Sequence, residues 1–134
     1  MRIKAKKVIP VVCNANQARS VAATSFLQVL HPTLKFKSYG VNAITSTNIP
    51  QCTITFLDKW QLPLLASRSL NVKEDILQLQ QSELILASDA GVARGLLSLG
   101  ISKSVIRIVD QITLPEELRT AALGPMQRML EMSV

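Results

Sequence analysis

The chain has 134 residues, 48% hydrophobic and 18% charged, with a net charge of +6; this composition supports a packed core, argues against disorder, and makes one domain over 1–134 the expectation. Two cysteines are too few for a disulfide framework, and with no recognisable leader segment they point to a reducing, cytoplasmic setting. One histidine and two separated cysteines offer no metal-ligand set, aromatics at 4% offer no stacking platform for nucleic acid, and no apolar run approaches a membrane span.

The chain opens on a basic cluster, Arg2, Lys4, Lys6 and Lys7, which reads as a solubilising edge in preference to an anion-attracting one. The β-branched run 8–12 then predicts a buried strand, although Pro10 argues against a central position in a sheet. A polar loop leads into a helix over 18–30, with Val21, Ala22, Ser25, Phe26 and Val29 at helical spacing and His31-Pro32 as its stop. The alternating segment 34–39 predicts a second strand closed by Gly40. After an irregular polar stretch, Pro50 suits a first helical position, and Ile54, Leu57 and Trp60 predict a helix ending near Gln61. Asn71-Val72-Lys73-Glu74 has the form of a capping box, with a short helix over 72–80. A third strand over 84–87, a helix over 90–99 stopped by Gly100, a fourth strand over 105–109 and a last helix opening at 113–116 complete the pattern. Alternating helices and apolar strands imply an α/β fold in three layers, a four-stranded parallel sheet with helices on both faces.

In such folds ligands bind beyond the carboxyl ends of the strands. Cys13 stands just past the first strand, and the loop 13–20 runs into a helix N-terminus. Free backbone N–H groups and the helix dipole bind anions at that place. Arg19 adds a guanidinium able to grip two phosphate oxygens at once. These surroundings favour the thiolate form of a cysteine, a nucleophile aimed at phosphorus. Ser20 can donate its hydroxyl to that sulfur. The loop residues Asn14, Ala15, Asn16, Gln17, Ala18, Arg19 and Ser20 are therefore the candidate phosphate cradle, and Cys13 and Arg19 the candidate catalytic pair. The bland alternative is a buried strand-end cysteine beside a surface arginine.

The run Val11-Val12-Cys13-Asn14-Ala15-Asn16-Gln17-Ala18-Arg19-Ser20 resembles the phosphate loop of the low-molecular-weight protein tyrosine phosphatases, a fold shared with thioredoxin-coupled arsenate reductases. Ser38-Tyr39-Gly40, Ser67-Arg68-Ser69-Leu70 and Ile85-Leu86-Ala87-Ser88-Asp89 resemble further segments of that family, in the same order along the chain. The resemblance implies a cofactor-free hydrolase acting through a phosphocysteine on Cys13. Arg19 would bind the phosphate, Asn16 would hold the loop's shape, and Ser20 would tune the thiolate. Asp110, in the loop after the fourth strand, would be the general acid. The implied ligands are a phosphorylated protein or small phosphate ester, and oxyanions such as phosphate or sulfate.

The chain departs from the family at several of these positions. Asp110 is followed by Gln111 where the family has proline, and Ile112 and Thr113 replace the aromatics that line a pocket for aryl phosphates. Asn14 and Gln17 are polar, and Ala15, Ala18 and Val21 replace the loop's glycine, second cysteine and proline. Two alternatives follow: a catalytically weak phosphate- or phosphoprotein-binding relative, and an arsenate reductase that relies on an external thiol. Cys52 is expected to be a buried core residue, and His31 a solvated helix-end residue. Asp58 and Glu74 are expected as solvated helix charges, and Trp60 as core or pocket rim. Asp89 is expected to cap a helix in preference to orienting the site. Arg68 either supports the loop or lies on the surface.

Overall fold

A computed structural model describes residues 7–108 of the chain. Strand β1 (Val8–Cys13) leads to helix α1 (Arg19–Leu30), strand β2 (Lys35–Gly40) and helix α2 (Gln51–Lys59). Helix α3 (Ile76–Gln80), strand β3 (Ile85–Ala87), helix α4 (Ala90–Ser98) and strand β4 (Ile106–Ile108) follow, with single 3-10 turns at Val72–Asp75 and Lys103–Val105. The four strands form one sheet in the order β2-β1-β3-β4, every pair parallel. This is the three-layer α/β arrangement expected from the alternation of elements. Asp110 and the helix predicted after it lie outside the described residues. No described helix is long and apolar enough to cross a membrane.

β1 is central despite Pro10, contrary to expectation. Successive residues of a strand direct their backbone groups to opposite neighbours. The Val12 carbonyl faces the β3 side, where it accepts from the Ser88 N–H at 2.9 Å, so Pro10 faces that side as well. There the ladder pairs only Val11 with Leu86 and Val12 with Ala87, and it begins one residue above the proline. The missing N–H therefore falls outside the paired stretch. The same shortness of β3 lets a proline sit in a central strand.

Alternation along the strands sorts the core into two faces. Ile9, Val11, Phe36 and Leu86 pack with Leu27 and Ala23 of α1 on one side. Val12, Tyr39, Ile85 and Ala87 pack with Leu79, Val92 and Leu96 of α3 and α4 on the other. A third cluster joins α1 to α2 through Val21, Ala22, Ile49, Phe56 and Leu57, with Phe26 and Trp60 against it. Each large apolar side chain buried in these clusters contributes about 1.5–3 kcal/mol.

Because α1 is gripped by the sheet on one flank and α2 on another, its buried residues do not form a single stripe. Leu27 is buried, whereas Val29, expected on the buried face, is 55% exposed. On α2 the buried residues are Thr53, Phe56 and Leu57. Cys52 stands one residue before that i, i+3, i+4 set and is exposed, which corrects the expectation that it is core. The capping box also fails in part. Asn71 accepts from the Lys73 N–H at 2.9 Å, but its own N–H goes to the Thr45 hydroxyl at 3.0 Å, so Glu74 has no bond to return. The turn that follows is 3-10 over Val72–Asp75 before α3 begins.

Candidate active site

The loop between β1 and α1 is shaped by its carbonyl groups. After β2 the chain runs on beside the loop, and the Val41 and Asn42 N–H groups donate to the carbonyls of Cys13 and Asn14 at 3.0 and 2.8 Å. The Ser69 hydroxyl donates to the Asn16 carbonyl at 2.8 Å, and the Thr53 hydroxyl to the Gln17 carbonyl at 2.7 Å. The Ala18 carbonyl accepts from Ala22 at 2.9 Å. With these carbonyls turned into the protein, the N–H groups are left for the other side. Those of Ala15, Gln17, Ala18, Arg19 and Ser20 donate to no acceptor among the described residues. No side chain caps α1, and its first turn holds no acidic residue. A helix N-terminus with its own donors open is an anion site.

Cys13 lies at the base of this cradle, 2% exposed. The Asn16 N–H donates to its Sγ at 3.2 Å, and the Ser20 Oγ is 3.0 Å from the same sulfur. Ser20 also lies 2.9 Å from the Asn16 Oδ1. One hydroxyl carries one hydrogen, so two proton arrangements are open. With a thiol, Cys13 donates to Ser20 and Ser20 donates to Asn16. With a thiolate, Ser20 donates to sulfur. The hydroxyl can thus switch its hydrogen bond to the sulfur without any heavy atom moving.

Asn16 ties the loop together. Its φ of 53° lies in the left-handed region, which asparagine tolerates better than most residues. Its Nδ2 donates to the Ser38 carbonyl at 3.4 Å. Gly40 is the other backbone constraint. A Cβ there would lie 2.7 Å from the Asn14 carbonyl oxygen and 2.8 Å from the Asn16 nitrogen, both backbone atoms of the loop. Only glycine lets β2 end so close beneath the cradle.

Arg19, the first residue of α1, extends toward α4. Its NH1 donates to the Asp89 Oδ2 at 2.8 Å. The other Asp89 oxygen accepts from the Val92 N–H at 2.8 Å and so caps α4. Burial pushes the Asp89 carboxyl upward, but the Val92 N–H and Arg19 outweigh it and hold the group below the usual carboxylate range. The expected cap on α4 is thus in place, and the same carboxylate also pairs with Arg19. Arg68 braces the loop after β2, donating to the Ser46 carbonyl at 3.2 Å. Its neighbour Ser69 is the residue that reaches the cradle. His31 is exposed beyond the end of α1, and Trp60 packs on the α1–α2 cluster.

Of the site residues expected from sequence, Cys13, Asn14, Ala15, Asn16, Gln17, Ala18, Arg19 and Ser20 are brought together in this one loop. Asp110 falls outside the described residues. Sequence reasoning missed Thr53 and Ser69 as supports of the loop. A short hydroxyl side chain carries no local signal of a partner so far along the chain.

Solved structures with this arrangement of strands, helices and loop are numerous. The low-molecular-weight protein tyrosine phosphatase of T. tengcongensis superposes with a TM-score of 0.70 at 19% identity, over 94% of this chain and 99% of its own. The fold is that of the low-molecular-weight protein tyrosine phosphatases. Wzb of Vibrio vulnificus, solved with benzylphosphonate, gives a TM-score of 0.72 at 20% identity over 90% of each chain. The tyrosine phosphatase Wzb of Escherichia coli K30, solved with sulphate, gives 0.68 at 19% identity over 96% of this chain and 99% of its own. In sequence alone, no family model and no curated protein matches the chain. The fold is thus shared with these structures at an identity of only 19–20%.

Proposed function

We propose that the chain, acting as a single domain in the cytoplasm, hydrolyses phosphate monoesters through a phosphocysteine on Cys13. The observation that carries this reading is the loop itself: a buried sulfur contacted by the Asn16 N–H and the Ser20 hydroxyl, under a ring of unused backbone N–H groups. The cradle holds the three non-bridging oxygens of a phosphate, with the Arg19 guanidinium as a further donor pair. The Cys13 sulfur attacks phosphorus, the bond from phosphorus to the ester oxygen breaks, and that oxygen takes a proton from Asp110. Water, giving its proton back to the Asp110 carboxylate, then cleaves the sulfur–phosphorus bond and releases inorganic phosphate. Ser20 supports the sulfur as leaving group in this second step.

The same fold carries phosphatases in other organisms, and two of them were solved with oxyanion ligands, sulphate and benzylphosphonate. That supports phosphate and sulfate as ligands of this loop. Both described cysteines are free, which supports a reducing compartment. The test is hydrolysis of a small aryl phosphate by the wild type and by Cys13→Ser, with mass spectrometry of the acid-quenched protein for a phosphoryl group on Cys13. Cys13-dependent turnover with an adduct is expected. Equal background rates in both proteins would sink the proposal.

A further inference from the structure

Beside the phosphate loop lies a cleft of about 470 Å³, a volume suited to a small organic ligand. Asn14 and Arg19 of the loop form one end. The α4 face of Gly91, Val92 and Gly95 forms a wall, Val41 and Leu99 supply apolar surface, and Lys73 stands in the lining. No aromatic residue is among the lining residues. A Cβ on Gly95 would stand 3.5 Å from the Val41 side chain, in ordinary van der Waals contact, so a larger side chain at that position would crowd Val41.

The charges in this cleft are unequally engaged. Asp89 has one oxygen on Arg19 and the other on the Val92 N–H. Asn14 and Asn42 are paired through their side chains at 2.7 Å. Lys73 makes no ion pair among the described residues, even though Asp89 lines the same cleft. Asp75, two residues on in the same turn, is also engaged, since it accepts from the Tyr39 hydroxyl at 2.7 Å and from Lys37 at 3.1 Å. Those bonds and the Asn71 cap on the Lys73 N–H hold the turn rigid. The cleft therefore offers a trough of mixed polar and apolar lining beside the phosphate loop, with the Lys73 ammonium, unpaired among the described residues, in that lining.

We infer that this cleft seats the leaving group of the substrate, and that the substrate is an aliphatic phosphate monoester bearing a second anionic group that Lys73 binds. This deepens the phosphatase reading and rests on it, because the first phosphate must sit in the loop 13–20. The trough receives a short carbon skeleton against Val41 and Leu99, and Lys73 neutralises a carboxylate or phosphate carried on it. An aryl ring finds no stacking partner there.

Binding separates this inference from turnover. Calorimetry on Cys13→Ser would compare inorganic phosphate, glycerol 3-phosphate and 3-phosphoglycerate; the two esters are of similar size and differ in one carboxylate. 3-Phosphoglycerate is expected to bind about tenfold more tightly than glycerol 3-phosphate. Lys73→Gln should remove that advantage and leave inorganic phosphate within about twofold of its original affinity. Gly95→Leu, which fills the trough, should weaken both esters and spare inorganic phosphate. Equal affinity for the two esters, or an equal loss for all three ligands in Lys73→Gln, would overturn the cleft assignment while the phosphate loop stands. Failure of inorganic phosphate to bind would overturn the loop reading and the cleft with it.

Discussion

Two strand-to-helix junctions stand side by side at the carboxyl edge of this sheet, and they are finished in opposite ways. After β3, Asp89 turns its carboxylate onto the first N–H groups of α4, so that helix carries its own anion. After β1, α1 begins at Arg19 with no side-chain cap and no acid in its first turn. A cap of the Asp89 kind is worth about 1 kcal/mol to a helix. At α1 the chain forgoes it and keeps the donors open, while the loop's carbonyls are bound from behind by Val41, Asn42, Thr53 and Ser69. The same backbone geometry is thus used once to cap a helix and once to leave the donors open, as the proposed phosphate site requires. Arg19 links the two junctions, since it leaves the open one and pairs with the carboxylate of the closed one.

The most severe way to break the contrast is to remove the groups on which the proposed reactivity of the open junction rests. Arg19→Lys keeps a positive charge but loses the planar fork, and kcat/KM for an aryl phosphate should fall about 10³-fold in steady-state assays. A loss under about threefold would mean that the guanidinium does not meet the phosphate. Gly40→Ala drives a methyl group against the Asn14 carbonyl and the Asn16 nitrogen. It should cost about 1–3 kcal/mol in chemical denaturation and about 10²-fold in kcat/KM, because the cradle must move by a sizeable fraction of an ångström. Unchanged turnover would show that the loop tolerates displacement.

The closed junction sharpens the comparison through a pair of variants. Asp89→Ala loses both the α4 cap and the Arg19 partner and should destabilise the protein by about 1–2 kcal/mol. Asp89→Asn keeps a capping oxygen and should recover most of that stability, while leaving Arg19 without its counter-charge. Because folding lowers the Asp89 pKa from its ordinary 3.8, its contribution is present above that value and is lost as pH falls through the folded value. Thermal unfolding followed below about pH 4 should therefore show a shallower dependence on pH in Asp89→Asn than in the wild type. Identical slopes would argue that the Arg19 pair adds nothing to stability. The smallest effect is expected from Thr53→Val, which removes one hydrogen bond to the Gln17 carbonyl. It should cost about 1 kcal/mol in a melting experiment and only a few-fold in kcat/KM.

Local pattern alone carried a good deal of this protein. The β-branched run before Cys13, the alternation of 34–39 and the apolar run ending at Ala87 were sufficient to place the first three strands to within one residue. The order of strands and helices implied a parallel three-layer sheet, and the position of Cys13 between a strand and a helix implied an anion-binding loop. These features depend on neighbours a few residues apart, which periodicity and turn chemistry register directly. What local pattern missed was decided by contacts across the chain. Ser69 meets Asn16 across 53 residues, Thr53 meets Gln17 across 36, and Asp89 meets Arg19 across 70. Gly40 is required by a loop that approaches from another strand, and Pro10 is tolerated because β3 is short. Cys52 turned outward because Thr53, Phe56 and Leu57 took the face of α2 toward α1. The sequence by itself determined that a cysteine-bearing loop would join β1 to a helix N-terminus, the place of the proposed anion site. Only the tertiary structure decided how rigidly it is held, because the groups that hold it come from three other segments and meet only when the sheet has assembled.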